Sequence, residues 1–284
     1  MAPTVVVISP HLDDAVLSIG GSIAAWVAEG ERVVIASVYT TGPALSEIAP
    51  VMRKFADYDT RRAEDAAACA LIGAETRRLG QVERAFRRPY LTNWNFFSTP
   101  ADRAGFATLG KVTAAIDTLS DLAPDRILVP LGIGNHVDHV EAAIAATDWA
   151  IARGWLDRVS FYEDFYAMSG TMRQAHFVAQ LRLWRRRESP LLRARRLAAI
   201  LSAIAVARRG PSMETFLAPS LRGARWTLTT TNVRGHEQRQ LDAIAEYPSQ
   251  TRAFGGLQGI SRAIKAAHVW WGHAEPLWRA LPNG

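Results

Sequence analysis

The chain has 284 residues, 49% hydrophobic and 21% charged, and its 33 Lys and Arg against 27 Asp and Glu give a net charge of +6. That is enough apolar sequence to bury a full α/β core as one domain, residues 1–284, with embellishments. The lone cysteine, Cys69, excludes an internal disulfide framework and a sulfur metal site or redox pair, and no segment approaches the ~20 apolar residues of a membrane span.

After Met1-Ala2-Pro3 the chain enters strand-forming residues with no basic region and no long apolar stretch, so no signal peptide is expected and the reading is cytoplasmic. Thr4-Val5-Val6-Val7-Ile8 is short and β-branched, as for a parallel strand buried on both faces. Residues 15–29 then place Val16, Ile19, Ile23, Trp26 and Val27 on one side of a helix that closes at Gly30. Between strand and helix stands Ser9-Pro10-His11-Leu12-Asp13-Asp14-Ala15. A histidine and two carboxylates thus occupy the turn at a strand's carboxyl end, where open α/β sheets bind ligands.

Strands are expected further on near 32–39, 75–79, 126–130 and 159–163, with helices near 59–72, 106–121 and 138–153 between them. Such alternation predicts a Rossmann-like, doubly wound, mostly parallel sheet with helices on both faces. Asp125-Arg126-Ile127-Leu128-Val129-Pro130 reads as a second buried strand, Leu131 to Asn135 as its loop, and His136-Val137-Asp138-His139 as the opening of a helix.

Two strand-to-helix turns therefore each carry His and Asp at close spacing. His11 and Asp14, three apart, can converge on one ion, while Asp13 between them points elsewhere and is free to act on a water. Two imidazoles and one carboxylate form the ligand set of hydrolytic zinc, with one position left open. The same set suits ferrous iron, and cobalt or nickel is not excluded. Against this stands the plain reading that aspartates at helix starts are ordinary N-caps.

The Pro-His-Leu-Asp-Asp and His-Val-Asp-His segments resemble the paired signature of the PIG-L/LmbE-like family of zinc-dependent N-deacetylases. Arg61 and Glu64 in a helix ending at Gly73, the acidic strand end Tyr162-Glu163-Asp164-Phe165-Tyr166, and Tyr247-Pro248-Ser249-Gln250 agree with it in order along the chain. The resemblance implies His11, Asp14 and His139 as Zn2+ ligands and Asp13 as general base. It further implies a protonated His136 that stabilises or protonates the tetrahedral intermediate, with Asp138 holding His136 in one tautomer. Arg61 would bind an anionic group of the substrate or the departing carboxylate. Leu12 and Ala15 stand where family members often carry Pro and Glu, and this form is similar to that of members acting on glycosylated antibiotics and other secondary metabolites.

The resemblance is weak or absent over about 170–225, a basic helical insertion or lid, after which 226–284 would complete the domain. Between Arg173 and Arg209 ten arginines face a single acid, Glu188, beside an apolar helical pattern from Leu191 to Val206. Packing on the core or on another subunit with the arginines solvated, a lid for an acidic or lipid-bearing substrate, and nucleic-acid binding compete here. No helix-turn-helix, zinc-finger or stacking motif supports the last, so no nucleic acid is expected, and self-association stays open.

The aromatic stretch from Gln81 to Pro100 reads as a loop near the site mouth or a satellite on the sheet. Trp270-Trp271-Gly272-His273-Ala274-Glu275 sets aromatic surface beside polar groups, so His273 is a candidate for holding sugar hydroxyls. The expected activity is a zinc-dependent N-deacetylase, a hydrolase of linear amides, on an amino sugar, sugar-bearing metabolite or glycoconjugate. An amidase on a thiol conjugate and a non-catalytic protein binding an anion through the insertion are the alternatives.

Overall fold

β1 (Thr4–Ser9) is buried at every position, because its alternate side chains feed two different cores. Val5 and Val7 belong to one, Val6 and Ile8 to the other, as a central strand covered on both faces requires. The computed structural model describes residues 2–87, 99–168, 170–179, 211–251 and 256–281.

β1 pairs in parallel with β2 (Arg32–Thr41) and β4 (Arg126–Pro130); β3 (Glu75–Val82) continues outward from β2, and β5 (Val159–Tyr162) from β4. β7 (Ala274–Leu281) then runs antiparallel to β5 and to the edge strand β6 (Arg225–Asn232), which completes a seven-stranded sheet in the order β3-β2-β1-β4-β5-β7-β6. The five parallel strands and the doubly wound order match the sequence reading.

The last two strands were not foreseen. β6 offers only Trp226 and Leu228 as large apolar residues among threonines, and β7 carries Glu275 and Pro276, a composition that argues against a strand until its neighbours are known.

On one face lie α1 (Asp14–Ala28), α2 (Tyr58–Ile72), α5 (Glu237–Ala245) and α6 (Gly256–Trp270), and on the other α3 (Leu109–Asp117) and α4 (Val137–Ala152). The helix expected over 106–121 is shorter than that. After Asp117 the chain tightens into a 3₁₀ turn, Thr118–Leu122, which buries Leu119 and Leu122 and is tied to α4 by Trp149 Nε1 donating to Ser120 Oγ at 2.9 Å.

α1 is kinked at Ile19, whose φ of −137° and ψ of 27° leave the helical region. The glycine pair that follows accounts for the kink. A Cβ on Gly20 would stand 2.7 Å from Gln240 Cγ, and one on Gly21 would stand 3.0 Å from Glu275 Oε1. With no side chains in the way, Gln240 Nε2 donates to Val16 O at 3.0 Å, and the Glu275 carboxylate accepts from Ser22 N at 2.7 Å and Gly21 N at 3.3 Å. The second half of α1 is thus capped by a carboxylate from β7.

Cys69 is a free, buried thiol on α2, as expected of a small core residue. Of the basic insertion, 180–210 lie outside the described residues, as do 88–98 of the aromatic stretch. Among the described residues no helix is long and apolar enough to cross a membrane.

Candidate metal centre

The two motif turns meet where β1 and β4 lie side by side. Ser9 shapes the first: its hydroxyl donates to His11 O at 2.6 Å and accepts from Ala15 N at 3.0 Å, closing the turn at the head of α1. The second needs left-handed backbone at Gly132, Gly134 and Asn135, with φ of 75°, 90° and 57°, a conformation open to Gly and tolerated by Asn. That loop delivers His136 as the residue capping α4, its Nδ1 accepting from Asp138 N at 3.3 Å.

Among the described residues two groups have metal-binding geometry, and both include His11: His11, Asp14 and His139, and His11, His136 and Asp138. In the first, Asp14 Oδ2 lies 2.9 Å from His11 Nδ1 and 3.1 Å from His139 Nε2. All three residues are buried. His139 Nε2 faces Asp14 Oδ2 without a hydrogen bond of good geometry, so it is directed into the cluster. Each imidazole is backed on its far side by a carboxylate: His11 Nε2 by Asp138 Oδ2 at 3.1 Å and His139 Nδ1 by Asp164 Oδ1 at 2.6 Å. Carboxylate-backed imidazoles are the usual surroundings of metal-binding histidines, since the partner fixes tautomer and ring orientation. The donor set therefore fits a divalent ion, with nitrogen and oxygen ligands and no sulfur.

Asp13 does not act as an ordinary N-cap. Although it stands at the cap position of α1, its side chain makes no capping bond, and it is 5% exposed. Burial and the adjacent Asp14 charge raise its pKa to about 6, against the opposing pull of Arg61 and His11. For Asp14 the two histidines outweigh burial and hold the carboxyl well below its ordinary range. His139 is raised to about 9, the Asp14 and Asp164 charges overcoming burial.

Burial, with His139 and His11 nearby, pushes His136 down to about 3, which favours the neutral ring. Its Nδ1 accepts from the Asp138 backbone, which places the proton on Nε2. The Asp138 carboxylate is drawn to other partners, accepting from Arg84 N at 2.9 Å and Arg87 Nη2 at 2.7 Å and facing His11. Its tautomer-setting contact is therefore with His11, and it meets His136 through the backbone N–H. The Tyr166 ring stacks parallel to His136 at 6.1 Å.

Arg61 and His273 each hold a carboxylate of the protein. Arg61 is buried, and its Nη1 donates to Glu83 Oε2 at 2.7 Å and Phe55 O at 3.1 Å; it holds an internal carboxylate. His273 lies outside both metal groups, half-buried, with Nδ1 2.7 Å from Glu237 Oε1. The late Tyr-x-Ser-Gln segment has a structural task. Tyr247 Oη donates to Leu12 O at 3.2 Å, and Ser249 N donates to Glu64 Oε1 at 3.0 Å.

Sequence reasoning assigned no role to Asp164, Glu83 or Arg87. Asp164 carried a usable signal, an acid at the carboxyl end of a strand in the same parallel sheet. Glu83 and Arg87 sit at the end of β3 with no local pattern, yet they bring the described start of the aromatic stretch against the centre.

Residues 6–150, about half of the chain, match the family model described as PIG-L: GlcNAc-PI de-N-acetylase. Over 136 residues the chain is 32% identical to the 2'-N-acetylparomamine deacetylase of Streptomyces fradiae, a match covering 47% of each. It thus spans about half the length of that curated relative. The crystal structure of the antimicrobial reagent A40926 pseudoaglycone deacetylase aligns over 99% of this chain and 98% of that one, with a TM-score of 0.65 at 20% identity. A triple mutant of a deacetylase of the teicoplanin biosynthetic pathway aligns over the same shares with a TM-score of 0.67 at 19% identity. At such identities the likeness establishes a common fold.

Proposed function

Since the chain belongs to the PIG-L, GlcNAc-PI de-N-acetylase, family, we propose that it is a zinc-dependent hydrolase removing an N-acetyl group from an amino sugar of a sugar-bearing metabolite. The observation that carries this reading is the buried His11/Asp14/His139 cluster with a buried carboxylate, Asp13, beside it that makes no capping bond. The names of the relatives, a 2'-N-acetylparomamine deacetylase, an A40926 pseudoaglycone deacetylase and a deacetylase of the teicoplanin biosynthetic pathway, support the substrate class. We further read the chain as one domain working in a reducing, cytoplasmic setting, in keeping with its single, buried cysteine.

An ion held by His11, Asp14 and His139 would supply a Lewis acid that polarises the amide carbonyl and acidifies a water. Asp13, raised to about 6, accepts the proton of the attacking water at neutral pH, where it is ionised yet basic enough to do so. As the carbonyl oxygen gains charge, His136 donates from Nε2, a neutral donor held in place by the Asp138 backbone and the Tyr166 ring. The proton on Asp13 then passes to the amide nitrogen as the carbon–nitrogen bond breaks, releasing acetate and the free amine. Asp138 and Asp164 take no part in proton transfer and keep the His11 and His139 rings in register.

The test pairs elemental analysis of the purified protein with acetate release from N-acetylglucosamine, 2'-N-acetylparomamine and an N-acetylglucosaminyl glycopeptide, before and after chelation. About one zinc per chain with chelator-sensitive acetate release is the expected result. Folded protein with neither metal nor acetate overturns the reading.

A further inference from the structure

A cavity of about 590 Å³ lies on the α1 face of the sheet, bounded by α1, α6, β7 and the segment that follows β5. None of the residues of the two metal groups lines it. It begins close by, because Ser18 in its wall follows Asp14 by four residues, about 6 Å along α1. Its size is ordinary for a small-ligand site, ~300–1,000 Å³.

The lining has a consistent hydrogen-bond character. Several of its donors are engaged within the protein: Gln240 Nε2 on Val16 O, and Arg173 Nε and Nη2 on the Glu163 carboxylate at 2.7 and 2.9 Å. His268 Nε2 faces Glu275 Oε1 at 3.3 Å, and in the tautomer that donates to this carboxylate Nδ1 bears a lone pair. Four lining atoms are left without a partner: Ser18 Oγ, Gln174 Oε1, Gln240 Oε1 and His268 Nδ1. Ser18, Gln240 and His268 are 6%, 1% and 4% exposed. The two amide oxygens are acceptors, His268 Nδ1 accepts in the tautomer that donates to Glu275, and the Ser18 hydroxyl both accepts and donates, so the complement is a molecule carrying several O–H donors.

Charge and shape narrow the class. The Glu163 carboxylate is matched by Arg173 and also accepts from Trp278 Nε1 at 3.0 Å, and that of Glu275 caps α1, so the cavity does not call for a cation. Trp270 and Trp271 line one side, with the Arg173 guanidinium 5.1 Å from the Trp271 ring centre. Aromatic surface beside hydroxyl-binding atoms suits the apolar face and polar rim of a sugar ring. We propose that this cavity is a second carbohydrate-binding site, separate from the metal centre, taking one neutral hexopyranose unit through its hydroxyls. The proposal stands on the cavity alone and holds whichever amide the metal centre hydrolyses.

The test titrates the full-length, metal-loaded protein with methyl β-D-glucopyranoside, which has no amide to hydrolyse, and follows tryptophan indole and histidine side-chain resonances. The expected result is saturable shifts of the Trp270, Trp271 and His268 signals with a Kd on the order of 1–10 mM. Ser18→Ala removes a hydroxyl with no partner in the protein, so it should leave the melting temperature within about 1 °C and weaken binding roughly threefold to tenfold. Ser18→Leu fills the cavity and should abolish binding; if it does not fold, Ser18→Ala still decides. No saturation up to about 200 mM, as for a cavity holding only ordered water, overturns the proposal. So does an unchanged Kd in Ser18→Ala, or shifts confined to His11, His136 and His139.

Discussion

The two motif turns and the C-terminal stretch from β6 onward treat the same helix differently. The turns place every member of the two metal groups within a few residues of a strand end, at the carboxyl edge where parallel sheets gather ligands. The C-terminal stretch supplies none of those residues, yet it grips α1 from across the sequence through Gln240 on Val16, Tyr247 on Leu12 and Glu275 on Ser22. Chemistry is carried by short-range spacing, whereas the precision of that spacing depends on contacts more than 200 residues distant. Damage to the first region should therefore remove metal or turnover, and damage to the second should lower stability while the metal stays bound.

The sharpest test of that division lies within the first turn. His11→Ala should lose the metal and drop acetate release to background, whereas Asp13→Asn should keep metal and lose ~10²–10⁴-fold in turnover; full activity in Asp13→Asn would refute the assigned base.

His176, just beyond the parallel strands, tests the join between the regions. Its Nε2 is 3.0 Å from Leu131 O and its Nδ1 accepts from Val178 N, and burial pushes its pKa to about 4. With a folded value below the free value, the unfolded chain binds a proton that the folded one refuses. Stability should be complete above about pH 6.5 and fall, by a few kcal/mol (~3), as pH drops toward 4. Chemical denaturation across that range, with His176→Gln flattening the slope, is the measurement; an identical slope in the variant breaks the assignment.

Asp164→Asn should weaken metal affinity ~10–100-fold, read by competition with a chelator, since its contact is with His139 rather than with the ion. Glu275→Ala should cost about 2 kcal/mol by uncapping Gly21 and Ser22, with metal content unchanged; loss of metal there would erase the distinction between the regions. Tyr247→Phe is the mildest change, about 1 kcal/mol from the bonds to Leu12 O and Asp65, measured by thermal unfolding.

The parallel half of the sheet was legible because buried β-branched runs alternate with helical ones, and the site was legible because its members sit in two compact motifs. β6 and β7 were not, since Thr-rich and Pro-containing segments become strands only once β5 offers an edge. Asp138 and Asp164 were visible as residues but not as partners, because a carboxylate pairs with whichever imidazole the fold brings within 3 Å or so.

By itself the sequence determined the parallel core and the two strand-end turns, through periodicity and the close spacing of His and Asp, while the three side chains expected to hold the ion were named through the family resemblance. Only the tertiary structure decided that Asp138 backs His11, that Arg61 pairs with Glu83, that burial lowers the pKa of His136 and that Glu275 caps a kink in α1. Those outcomes depend on burial and on which charges meet across distant segments, and neither quantity is written in local spacing.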